Sequence, residues 1–130
     1  NTTYSPVASF NASFVFSDIP KLLDLPVLII TRPDTNSVSN TLLAINYAKE
    51  QKIEVAGVIV NRYPESTLDI TIRTAPRLIE EYSDAKVLGI VKEIASVELL
   101  TPGAMIDTIL NSVDVEKIFG IKIPKLNSGV

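Results

Sequence analysis

The chain contains neither cysteine nor histidine. With them go thiol and imidazole catalysis, any Cys/His zinc site and any disulfide framework, so its chemistry rests on carboxylates, lysines, hydroxyls and backbone amides. A dominant charge of either sign is also lacking: 12 basic and 15 acidic residues are mixed along 130 positions, for a net charge of −3. No basic patch is there to hold a phosphate backbone, which argues against nucleic acid as a partner. The longest apolar run is bracketed by Asp24, Arg32 and Asp34 and is too short to span a bilayer, so a soluble, cytoplasmic chain without a membrane partner is expected. No signal-peptide pattern, internal repeat or low-complexity segment is visible, and the start at Asn1 rather than Met is that expected of a processed, trimmed or expressed fragment. Asn1-Thr2-Thr3 and Asn11-Ala12-Ser13 fit the glycosylation sequon, a pattern short enough to be read as chance.

What is there is apolar and ordered. At 46% hydrophobic the chain suits one compact domain over residues 1–130, with 1–9 and 121–130 expected to be loosely ordered. Its centre is Pro26–Val60. Pro26-Val27-Leu28-Ile29-Ile30-Thr31 and Val55-Ala56-Gly57-Val58-Ile59-Val60 are short β-branched runs, each closed by polar residues, and between them Val38, Leu42, Ile45 and Ala48 recur at helical spacing. Two such strands flanking one amphipathic helix read as a βαβ unit. Open α/β sheets bind ligands at the carboxyl ends of their strands, so Arg32–Asn40 and Asn61–Pro64 are the candidate loops. Arg32 and Asp34 read there as a solvent-exposed ion pair.

Around this unit, Phe10–Phe16 alternates with a period of two and predicts a short strand or extended lead-in. Ser17 is placed to cap a helix over residues 18–23, with Pro20 in its first turn. The central helix is expected from about Ser37 to Gln51, capped by Asn36 or Ser37. Gly57 inside the second strand implies close approach of a neighbouring helix or backbone. Asn61-Arg62-Tyr63-Pro64 reads as a loop leaving the sheet, Glu65–Arg73 stays open between helix and irregular chain, and Thr74 with Pro76 reads as a fresh helix start running through Tyr82. Lys86–Val91 is the third buried strand. Pro102-Gly103 breaks the chain before a helix over 104–111, and Val113–Phe119 forms a last helical piece. Strands alternating with helices predict a parallel α/β sheet with right-handed crossovers, and three strands are few for one, which suggests half of a doubly wound domain or a reduced version. An exposed sheet edge is expected near Phe10–Phe16 or Pro26–Thr31.

These residues carry a resemblance. In order along the chain, Phe14-Val15-Phe16-Ser17-Asp18, Leu25–Ile30, Asn36–Leu43, Val55–Tyr63, Thr74–Ile79 and Val87–Ile90 resemble the C-terminal half of the dethiobiotin synthetase family. That family shares its P-loop fold with the cobyrinic acid amidases and with a domain of some phosphate acetyltransferases. The resemblance implies an α/β, doubly wound, P-loop NTPase-like fold, present here in part. It also implies ATP and Mg²⁺ as cofactors in a ligase reaction of biotin biosynthesis, in which carbon dioxide joins the two amines of 7,8-diaminononanoate. By the same resemblance, Asn36, Ser37, Val38, Ser39 and Asn40 would open a helix at a homodimer interface and offer backbone amides to the substrate carboxylate, as helix N-termini do for anions. Asn61 would read the adenine edge, since its amide both donates and accepts. Val91, Lys92 and Glu93 would line the other side of the purine.

The chain also departs from that pattern. No GxxxxGK[ST] occurs in it, and Asn1–Ser5 stands where the family has a metal-binding carboxylate and glycines. Asn36-Ser37-Val38-Ser39-Asn40 lacks the usual glycine, asparagine and histidine, and Val91 stands at the expected proline. Phosphoryl transfer depends on positioned phosphate ligands and metal, so the chain alone is not expected to use ATP. Three readings follow. The chain is part of a dethiobiotin synthetase-like enzyme associated with a P-loop-containing half, or a non-catalytic nucleotide- or metabolite-binding regulatory domain, or a dimerisation module using the Val38–Ala48 helix.

Overall fold

A computed structural model describes residues 9–11, 14–94, 96 and 101–122. The expectation of loose ends falls largely on residues 1–8 and 123–130, outside the described residues. Ser9–Asn11 (β1) pairs antiparallel with Phe14–Val15 (β2), where the sequence suggested one strand or an extended lead-in. Asp18–Leu23 (α1) follows. Ser17 stands at its N-cap position, but the Ser17 hydroxyl makes no cap bond and lies 3.0 Å from the Tyr47 hydroxyl instead.

The centre is a parallel three-stranded sheet in the order β3-β4-β5, built from Val27–Thr31 (β3), Val55–Tyr63 (β4) and Val87–Lys92 (β5). Among the described residues β3 pairs on one side only, so the Pro26–Thr31 region does lie at a sheet margin. Thr35–Glu50 (α2) and Ile70–Glu81 (α3) connect successive strands. Alternation along β4 divides its side chains between two faces. Val58 and Val60 join Val38 and Ile45 of α2, Ala75 and Ile79 of α3, and Ala85 in one core, while Ile59 meets Val91 and Val113 on the other face. That second face is covered by Pro102–Ser112 (α4) and Val115–Phe119 (α5), with Val115 and Ile118 packed against it.

Helix boundaries differ from the sequence expectation, for local reasons. Helix α2 begins two residues before Ser37, because Asp34 rather than Asn36 or Ser37 is the cap: its carboxylate accepts from the Ser37 amide at 2.9 Å. Helix α3 begins at Ile70 under Asp69, whose carboxylate accepts from the Thr71 amide at 2.8 Å. Thr74 is therefore not a cap, and its hydroxyl donates back to the Ile70 carbonyl. Pro76 sits in the helix interior, where it removes one backbone donor. Helix α4 takes in Pro102 at its first turn, with Thr101 as cap, and so does not wait for Ala104.

Gly57 meets its neighbour as expected, and the neighbour is strand β5. A Cβ at Gly57 would lie 2.4 Å from Leu88 Cδ1 and 2.9 Å from the Lys86 carbonyl oxygen, and its φ of 156° excludes other residues on backbone grounds as well.

Candidate functional site

The parallel strands direct three chain segments to one end of the sheet: Thr31–Asp34 after β3, Asn61–Pro64 at the end of β4, and Lys92–Glu93 at the end of β5. At the first, Thr31 is buried and its hydroxyl lies 2.7 Å from that of Thr41, which in turn lies 2.7 Å from the Ser37 carbonyl. This three-residue link fixes the first turn of α2 to the strand that feeds it. Asp34 closes the turn: besides the Ser37 amide it accepts from the Ser37 hydroxyl at 2.6 Å. The two Ser37 hydrogen bonds, with lesser help from Arg32, hold the Asp34 carboxyl below its usual range. Asp34 is therefore the helix cap rather than half of an ion pair with Arg32.

This arrangement bears directly on anion binding. The amino end of a helix attracts a negative charge through free amides and a positive dipole end. Here Asp34 supplies that charge from within the chain, and the Val38 amide already donates to the Asp34 carbonyl at 2.9 Å. Asn36, Ser39 and Asn40 are exposed and Ser37 is half-buried, whereas the Val38 side chain is packed in the core.

At the second segment the sequence expectation of a loop fails, because β4 continues through Tyr63. The continuation is made possible by an irregularity: register shifts between Val60 and Tyr63, and Arg62 adopts a left-handed φ of 57°. The Asn61 side-chain oxygen accepts from the Arg62 amide at 2.8 Å and so stabilises the bulge. The Glu93 amide then donates to the Tyr63 carbonyl at 2.8 Å, rejoining the strands. Two ion pairs clasp the same ends, Arg62 to Glu93 at 3.1 Å and Lys92 to Glu65 at 2.9 Å. Both are exposed, so they orient side chains more than they stabilise the fold. Val91 is buried and faces Ile59 and Val113, leaving Lys92 and Glu93 as the solvent-facing members of that segment.

Beside these pairs lies a cavity of about 360 Å³, lined by Tyr63, Pro64, Glu65, Ser66, Thr67, Leu68 and Arg73. It was not anticipated from the sequence, since it forms only because β4 runs on to Tyr63 and α3 starts early at Ile70. A second cavity of about 390 Å³, between Pro20–Pro26 and Gln51–Glu54, lies at the opposite, amino end of the strands.

Comparison with known proteins gives this geometry its setting. Residues 3–99 match the model of a family described as an AAA domain. The chain belongs to that family. Within the family it is dethiobiotin synthetase-like. It is 30% identical to an ATP-dependent dethiobiotin synthetase of Thermodesulfovibrio yellowstonii over 80% of this chain and 42% of the relative. It is 31% identical to that of Bacillus licheniformis over 81% of this chain and 43% of the relative. With that of Bacillus velezensis the identity is 35%, over 63% of this chain and 35% of the relative. The chain spans less than half the length of these curated relatives. The crystal structure of the cell division ATPase MinD of Pyrococcus furiosus matches with a TM-score of 0.53 at 18% identity, covering 86% of this chain and 50% of that one. The likeness is one of fold, and it makes the α/β unit a partial P-loop NTPase fold.

The relatives are named as ATP-dependent. Beyond its bond to the Arg62 amide, the Asn61 side chain keeps its amide nitrogen and one oxygen lone pair, with Lys92 at the end of the neighbouring strand and Glu93 just past it. The carboxylates of Glu65 and Glu93 are each held by a cation, and among the described residues no group of three or more carboxylates gathers to hold a metal.

Proposed function

We propose that this chain supplies the purine- and substrate-facing part of an ATP-dependent dethiobiotin synthetase-like ligase, whose phosphate-binding part lies outside these 130 residues. The observation that carries the reading is the bulge at Asn61–Arg62. It holds an amide side chain at the carboxyl end of β4, beside Lys92 and Glu93, at the end of the sheet where α/β folds receive ligands. The relatives are named for the same activity, and this chain matches 42–43% of their length. In this reading ATP and Mg²⁺ bind across a composite site, a P-loop-containing half pairs along the free side of β3, and a cytoplasmic setting follows from the biosynthetic role. Asn36–Asn40 would meet the substrate carboxylate by displacing Asp34, which already accepts from the Ser37 and Val38 amides of the first turn.

The chain's own part in the reaction is recognition and positioning. Asn61 would orient the base, and the Arg62–Glu93 pair would hold the bulge that aims it. A second reading is favoured by Asp34: a helix end already neutralised by its own carboxylate suits a non-catalytic nucleotide- or metabolite-binding domain of the same fold. Calorimetric titration with adenosine and with Mg-ATP tests both. Equal, weak binding of the two that is lost in Asn61→Ala is the expected result. Mg-ATP binding about tenfold tighter than adenosine would place a phosphate site within the chain and overturn the composite-site reading. Binding unchanged in Asn61→Ala would remove Asn61 from the site.

A further inference from the structure

The cavity beyond β4 is edged by a cation that no acid of the chain answers. Residues 63–68 and Arg73 of α3 line it. The other charged groups along these segments are engaged. Lys92 holds Glu65 at 2.9 Å, Glu93 holds Arg62 at 3.1 Å, Arg77 lies 3.7 Å from Glu81, and the Asp69 carboxylate accepts from the Thr71 amide at 2.8 Å. The Arg73 guanidinium forms no hydrogen bond or ion pair among the described residues. Beside it, Thr67 Oγ1 accepts from the Asp69 amide at 3.1 Å, which fixes the hydroxyl in the wall and leaves its proton to donate. The rest of the lining is apolar: half-buried Tyr63 and Pro64, and Leu68, which is 98% exposed.

We propose that this cavity binds a small monocarboxylic acid with a short apolar tail. A guanidinium offers two parallel N–H groups to the two oxygens of a carboxylate, a match that an ammonium or a lone hydroxyl does not provide. The hydroxyls of Ser66 and Thr67 add donors, and Tyr63, Pro64 and Leu68 hold the tail. The charge balance selects a single negative charge. One cation is unanswered, while Glu65 and Asp69, though engaged, repel a second charge on the ligand, so a phosphate dianion fits less well. At about 360 Å³ the cavity lies at the lower end of the range for small-molecule sites. The site goes beyond the ligase reading and does not depend on it, because neither Asn61 nor Glu93 lines the cavity.

An amide NMR titration of the chain with sodium hexanoate should shift Ser66, Thr67, Leu68 and Arg73 saturably, with a Kd on the order of 1–10 mM for so open a site. Hexanol, which keeps the tail, and inorganic phosphate, which keeps an anion, should each bind at least about tenfold more weakly. Arg73→Gln should weaken hexanoate about tenfold or more, and Leu68→Asp, which keeps the guanidinium but sets a like charge beside the ligand, should weaken it as well. Both positions are exposed, and the dispersion of the spectrum checks that each variant folds. Asn61→Ala should leave hexanoate binding unchanged, which separates this site from the purine reading. No saturable shift up to about 50 mM overturns the proposal. So does binding that survives Arg73→Gln, phosphate that binds as tightly as hexanoate, or hexanoate binding that is lost in Asn61→Ala.

Discussion

Helix α2 buries Val38, Ile45 and Ala48 against the sheet and leaves Asn36, Ser39, Asn40 and Asn46 in water, whereas α4 presses Ala104, Thr108 and Ser112 inward and leaves Met105, Ile106, Ile109 and Leu110 outside. Both helices show apolar residues at helical spacing. The difference lies in the strands beneath them. Under α2 and α3 the sheet presents Val58 and Val60, fully buried, and a thick core forms. Under α4 it presents Gly89, whose missing side chain lets the backbone approach so closely that only small residues fit between. Periodicity therefore says that a helix has an apolar face, and the opposing surface decides whether that face points inward.

Substitutions at matched positions sharpen the contrast. Truncation on the thick side, Ile45→Ala or Ile79→Ala, should cost about 2–5 kcal/mol in urea unfolding, since Ile79 is fully buried and Ile45 nearly so. Gly89→Val should cost about 1–3 kcal/mol, because backbone atoms of Ser112 and Val113 would have to give way. Limited proteolysis should then cut within residues 101–122 before it cuts α2, and simultaneous cutting of both would show that the two faces are not separate units. Removing the α2 cap with Asp34→Ala should cost about 1 kcal/mol.

Asp34 adds a pH dependence whose sign follows from its depressed folded value. Its contribution is present above the unfolded value of about 3.9 and is lost as pH falls through the lower folded one. Asp34→Asn keeps an accepting oxygen without titrating, so its stability should vary less below about pH 4 than that of the natural chain. Smallest of all, Ile109→Ala should change stability by less than about 1 kcal/mol. A loss matching that of Ile45→Ala would mean that the outer apolar face of α4 is already covered.

Much of the architecture was legible in the sequence, because the three strands of the sheet are β-branched runs with few rivals in the chain, although only β4 is buried as expected and Ile30 of β3 and Ile90 of β5 are exposed. What escaped was set by local oxygen atoms and by distant partners. Asp34 and Asp69 displaced the expected caps because an aspartate ahead of the first turn reaches amides that Asn36, Ser37 or Thr74 would have to reach from inside it. Pro76 suggested a helix start, yet the packing of Ala75 and Ile79 carries the helix through it. Of the candidate site, Asn61, Lys92 and Glu93 do gather at one end of the sheet. The bulge at Arg62 and the pairs Arg62–Glu93 and Lys92–Glu65 had no signature, because they join residues about thirty positions apart.

The free margin of β3 leaves a trace that can be followed residue by residue. In a parallel ladder the amides of a strand turn alternately to its two neighbours, and here the Val27 amide already donates to the Glu54 carbonyl on the β4 side. Every second amide of β3 should then exchange with heavy water quickly while its neighbours exchange slowly. A partner strand would abolish that alternation and nothing else in the sheet, so the rhythm of exchange along five residues would report occupancy of the margin without any structure of the complex.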